Sequence, residues 1–180
     1  MIFFGHLGIT TGLIKGYEKI SYKKRDLNNK VQIDYRVVLL GSLLPDIIDK
    51  PVGAFLFRST FHNTRIFAHT LIFSVLLLAT GIFMLYKYRK NNILIIGTCT
   101  SFHLILDSMW LYPGILFWPY FGFRFPQREE GNWLNSDLIR LISDPGYWLP
   151  EIIGFIIIAY FFIRLVKNKQ IKAFLYEGKL

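Results

Sequence analysis

The chain has 180 residues, 53% of them hydrophobic and 18% charged, with a formal net charge of +9. Soluble domains carry about 25% charged residues, so this balance points to a membrane protein. The basic residues gather beside apolar runs, which argues against a nucleic-acid partner. With Cys99 as the single cysteine, a disulfide within the chain and a cysteine-based zinc site are both excluded.

The expected fold is all-α, a polytopic membrane helix bundle forming one domain over residues 1–180. It has three long spanning helices, two shorter N-terminal helices and an aromatic Pro/Gly-rich loop. The first apolar run, 1–14, is too short to span. It also lacks the basic region and small-residue cleavage site of a signal peptide. It carries Gly5-His6-Leu-Gly8. A histidine near a terminus is more often solvated than ligating, so the interest of His6 lies in its position. A basic stretch, 15–36, follows.

The second short run, 37–48, leads into Gly41-Ser-Leu-Leu-Pro-Asp46-Ile-Ile-Asp49-Lys-Pro51. Pro45 is expected to break the helix. At i, i+3 spacing Asp46 and Asp49 face one point. Asp46 reads as a metal ligand, or alternatively as a cap of the next turn. Asp49 reads as a ligand or general base, or as a partner of Lys50 or Arg65. His62 reads as a surface-loop histidine.

The first long run is 66–86, opened by Thr64-Arg65-Ile-Phe-Ala-His69-Thr70. Arg65 suits bidentate contact with an anionic substrate oxygen, and His69 suits a metal. The rival reading makes Arg65 an interfacial anchor and His69 a packing residue. After the basic residues of 87–90 comes the second long run, 93–111. Within it His103-Leu-Ile-Leu-Asp107 puts an imidazole and a carboxylate on one helix face. An ionisable group inside a span costs roughly 2.5–3.5 kcal/mol, and a shared cation offsets that cost. A buried His-Asp pair that ties helices together is the plainer alternative.

Residues 112–147 contain Pro113, Pro119, Pro126 and Pro145, which exclude a continuous helix. A short amphipathic helix is expected over 136–142. The aromatic part forms a lid over a site or an ordinary interfacial belt, with Arg124 as a candidate anion contact. The third long run is 148–166, and basic residues recur over 164–179. Placing the three basic clusters in the cytoplasm makes the apolar segments alternate in direction. It also brings His6, Asp46, Asp49, His69, His103 and Asp107 towards the extracytoplasmic side of a cell membrane. No G-x-S-x-G, P-loop or H-E-x-x-H is present.

The ordered fragments Gly5-His6, Leu44-Pro45-Asp46, Arg65-Ile-Phe-Ala-His69-Thr70, His103-Leu-Ile-Leu-Asp107, Trp118-Pro119 and Phe123-Arg124-Phe-Pro126 resemble a known family. It is that of membrane-bound metal-dependent hydrolases, also described as LexA-binding and inner-membrane-associated. The resemblance implies metal-site positions at His6, Asp46, His69, His103 and Asp107, with Arg65 beside them. The chain departs from the family pattern twice. The family's Ile-Asp-His-Pro after Leu-Pro-Asp is here Ile47-Ile-Asp49-Lys-Pro51, one residue longer, and Thr64 stands where the family has a histidine before the arginine.

These residues lead to the expectation of a metal-dependent hydrolase. The imidazole and carboxylate set suits zinc, with manganese or iron as alternatives in a dinuclear arrangement. Metal-activated water attacks an ester or phosphoester, a lipid being the natural substrate, while Arg65 stabilises developing negative charge. Membrane lipid is the expected partner. Two rivals stand beside it: a non-enzymatic protein carrying metal ions or protons, and a scaffold whose buried polar pairs hold the helices together.

Overall fold

A computed structural model describes residues 3–24, 32–126, 139 and 141–180. All regular structure among them is helical. In chain order the elements are α1 (Phe4–Lys24) and α2 (Tyr35–Lys50), which continues into a π-helical turn (Pro51–Leu56). Then come α3 (Arg58–Phe61), α4 (Leu71–Tyr88), α5 (Asn92–Leu106), a 3-10 turn (Met109–Leu111) and α6 (Pro113–Leu116). The long α7 (Pro145–Lys167) and the short α8 (Ile171–Glu177) complete the chain. Of the helix expected over 136–142, residues 136–138 and 140 lie outside the described residues, while 139, 141 and 142 are helical.

Among the described residues two helices, not the expected three, are long and apolar enough to cross a membrane: α4 and α7. Their exposed side chains, among them Ile82, Phe83, Phe155, Ile156 and Phe162, are those that lipid would cover. The run 93–111 falls short because α5 has only 15 residues. At about 1.5 Å per residue it extends about 22 Å, against a hydrocarbon core of about 30 Å. It stops at Asp107, and Ser108 turns the chain in the left-handed conformation, with φ 53°. Conversely α1 runs on past its apolar stretch to Lys24, because helical hydrogen bonding does not end where hydrophobicity does.

Two further boundaries differ from expectation. Pro45 lies inside α2 without ending it. An interior proline costs about 3 kcal/mol, and here the packing of α2 along α5 outweighs it. The first long run does not begin as helix at residue 66. Thr70 is the N-cap of α4, accepting from the Phe73 amide at 3.2 Å, and residues 63–69 form an irregular segment instead.

Packing runs from α4 to α5, from α5 to α2, from α2 to α1, and from α1 to α7. Glycines set the closest approaches. A Cβ on Gly8 would lie 2.0 Å from the Gly154 carbonyl oxygen, so α1 and α7 touch backbone to backbone. Glu151 of α7 also accepts the amides of Phe3 at 3.1 Å and Phe4 at 2.8 Å, closing the start of α1. At Gly41 a Cβ would meet Ile96 and Cys99, which draws α2 against α5. An apolar layer of Ile14, Val38, Ile95 and Cys99, with Ile33 and Tyr35, fills one end of these helices. The polar cluster occupies the other.

Candidate metal centre

Each candidate side chain arrives from a different element. His6 lies in the first turn of α1 and Asp46 and Asp49 in the last turns of α2. His69 stands just before α4, His103 in the last turn of α5, and Asp107 at its C-cap. Two groups of ligand atoms, each within 4.8 Å, could hold a metal ion: His6, Asp46 and His103, and His69, His103 and Asp107. All five residues expected as ligands are therefore brought together. His6, His69 and His103 have no exposed surface.

The irregular segment before α4 exists because Asp49 holds it. Its carboxylate, fully buried, accepts the amides of Ile66 at 2.8 Å, Ala68 at 2.9 Å and His69 at 3.1 Å. The same group takes the His69 Nδ1–H at 2.7 Å. Asp49 thus stands behind His69 with both oxygens engaged, rather than as a free base or as the partner of Lys50 or Arg65. Lys50 pairs with Asp46 at 2.7 Å, and Arg65 with Asp107 at 2.8 Å. Those are the ordinary i, i+4 reach of a helix and a guanidinium seated over the Tyr112 ring.

His103 is fixed in the same way by a backbone oxygen. Its Nδ1–H donates to the Ser42 carbonyl at 2.7 Å. With both Nδ1 atoms committed as donors, the two Nε2 atoms face each other across 3.3 Å, and in two neutral imidazoles both would present bare lone pairs. Two acceptors so placed repel unless a proton on one nitrogen or a metal ion lies between them. Asp46 Oδ1 lies 3.6 Å from His69 Nε2 and 3.9 Å from His103 Nε2. Asp107 Oδ2 lies 3.8 Å from His69 Nε2. Ligand atoms bonded at about 2.0–2.2 Å in a tetrahedral site stand about 3.3–3.6 Å apart, so this donor set fits a metal ion.

His6 behaves differently. Its ring stacks on that of His103, with centroids 3.9 Å apart and planes within 14°. Its Nε2 lies 3.2 Å from Asp107 Oδ1 but off the line of a hydrogen bond. Neither of its ring nitrogens has a hydrogen-bond partner among the described residues. One turn further from the cluster along α1 and α5, the buried hydroxyls of Thr10 and Thr100 are likewise unpartnered.

Two further residues singled out in the sequence lie outside this group, only Arg124 having been expected as a contact. His62 takes a left-handed position at the end of α3, with φ 47°, and joins neither set of ligand atoms. Arg124 is exposed on a bend beyond Gly122. The aromatic stretch around it docks on the segment that carries Arg65 and His69. Trp118 stacks on Phe125 at 5.5 Å, both meet the Phe67 ring edge to face, and Asn63 donates to the Pro126 carbonyl at 2.8 Å. Tyr120, Phe121 and Phe123 remain exposed beyond it. The Ser42 carbonyl gave no signal in the sequence. The Asp46–Lys50 pairing was readable from its spacing.

The family model described as the YdjM inner membrane protein matches residues 1–175 of this chain. No curated protein and no solved structure matches it.

Proposed function

Because the chain belongs to the YdjM inner membrane protein family, we propose that it is a multi-pass membrane hydrolase with a metal centre, acting on an ester or phosphoester. The observation that carries this reading is the pair of facing Nε2 atoms of His69 and His103, 3.3 Å apart and ringed by Asp46 and Asp107. Zinc suits these donors best, with manganese or iron as alternatives. When bound, the ion polarises the scissile group and lowers the pKa of a coordinated water.

The chain's own residues do the rest. His69, His103, Asp46, Asp107 and His6 are the residues that would hold metal in this centre, while Asp49 and the Ser42 carbonyl fix the orientations of the His69 and His103 rings. Arg65 lies beside Asp107, where it stabilises negative charge gathering on the reacting group. Lipid is the proposed substrate class, since the exposed aromatic stretch from Phe117 to Phe123 adjoins the site. Arg124 on that stretch is proposed as a headgroup contact. The basic end of the bundle is assigned to the cytoplasm and the metal centre to the opposite face.

The test is metal content and hydrolysis together. Purified protein should retain zinc and cleave a phosphoester or phospholipid, and Asp46→Asn and His103→Gln should lose both. Full metal retention in those two variants would reject the reading. The unpartnered Thr10 and Thr100 hydroxyls favour a second reading, a path for ions or protons. The apolar layer of Ile14, Val38, Ile95 and Cys99 lies against it, and flux measurements in liposomes separate the two.

A further inference from the structure

The geometry points to a second metal position in this centre, held by His6 and joined to the first through Asp107. The inference rests on the metal centre proposed above. An imidazole binds a metal along the lone pair of its nitrogen, in the plane of the ring. The rings of His6 and His103 lie nearly parallel at 3.9 Å. An ion in the plane of His103, at bonding distance from Nε2, stands about one ring separation away from the plane of His6. The two histidines therefore cannot serve the same ion without one ring swinging away from the other.

His6 nonetheless has the marks of a ligand. It has no exposed surface, and neither of its nitrogens has a hydrogen-bond partner among the described residues. Burying an imidazole with both nitrogens unsatisfied costs stability unless something occupies them. Its Nε2 faces Asp107 Oδ1 at 3.2 Å, off hydrogen-bond alignment, which is the edge length between two ligands of one ion.

Asp107 completes the picture, because its two oxygens look in different directions. Oδ1 faces His6, and Oδ2 faces His69 at 3.8 Å. One ion takes His69, His103 and Asp107 Oδ2, and the other takes His6 and Asp107 Oδ1, with Asp46 in reach of the second group. Ions lying in the planes of two rings stacked at 3.9 Å are held apart by roughly the ring separation or more, which admits the spacing of about 3.5–4 Å of two-metal hydrolytic centres. Such a pair clamps both oxygens of an in-line displacement, so the substrate class narrows towards phosphoesters.

Manganese binding to the detergent-purified, metal-free full chain tests this without any assay of activity. Saturation is expected at two ions per chain, with an exchange-coupled electron paramagnetic resonance spectrum at full loading. His6→Gln should saturate at one ion and give an uncoupled six-line spectrum. Saturation of the unaltered protein at one ion overturns the second position while leaving the metal centre intact. Two coupled ions in His6→Gln overturn the role of His6, and no binding at all overturns both proposals. The stoichiometry and spectrum of the unaltered chain decide the matter even where the variant fails to fold.

Discussion

Asp49 and His69 form a unit that sets the shape of the segment between them. The carboxylate binds the His69 ring at Nδ1 over 2.7 Å, and it accepts the backbone amides of Ile66, Ala68 and His69 in the same grip. One buried acid thereby chooses the tautomer of a metal-facing imidazole and also replaces the helical hydrogen bonds of its neighbours.

Asp49→Asn keeps the volume but turns an amide NH2 against groups that are already donors. Affinity for zinc should fall about 10–100-fold, as when other carboxylates behind metal-bound histidines are removed. Competition with a chromophoric chelator measures this. Unchanged affinity would show that Asp49 does not orient His69.

Arg65 pairs with Asp107 at 2.8 Å while keeping 13% of its side chain exposed. Arg65→Gln should leave at least one ion bound and lower kcat on a phosphoester about 10²–10³-fold, the cost of losing one donor to developing charge. A variant whose kcat is intact and whose KM alone rises would place Arg65 in ground-state binding instead.

Gly8 and Gly154 meet with no room for a side chain. Gly8→Ala should destabilise the protein by about 1–3 kcal/mol through overpacking, and Gly154→Leu should abolish folding. The fraction still monodisperse after heating in detergent reports both. A Gly8→Ala protein as heat-resistant as the parent would mean that α1 and α7 are able to separate at no cost.

Asp34 caps α2 and binds Arg36, whose hydrogen bond holds the Asp34 carboxyl below its ordinary value. A carboxylate with a lowered folded value stabilises above its unfolded value and loses that contribution as pH falls through the folded one. Asp34→Ala should cost about 1 kcal/mol at neutral pH, the usual worth of a cap. The gap from the parent should begin to narrow below about pH 4 and close as the pH falls through the lowered folded value. Denaturation series at pH 7 and pH 3 compare the two directly.

What the sequence made legible is local in nature. The i, i+4 spacing of His103 and Asp107 placed both on one helix face, whereas Pro45, expected to break its helix, lies inside α2. The stacking of His6 on His103 is a contact between helices far apart in the chain, and no spacing rule reports it. The start of α4 was misread for a related reason. Residues 66–70 are apolar enough for a spanning helix, but Asp49, 17 positions before Ile66, captures their amides. The length of α5 was overestimated because Met109 and Leu111 continue the apolar run after the backbone has turned at Ser108.

The Glu151 carboxylate that seizes the amides of Phe3 and Phe4 ties the start of α1 to α7, a helix made much later. During synthesis His6 precedes α7 by more than a hundred residues, and the main packing partner of its helix forms only after α7 has left the ribosome. Cation loading at full strength is therefore a late event, completed only once the helix carrying Glu151 has been made. Chains truncated before residue 151 should purify poor in metal, however many of the liganding side chains they contain.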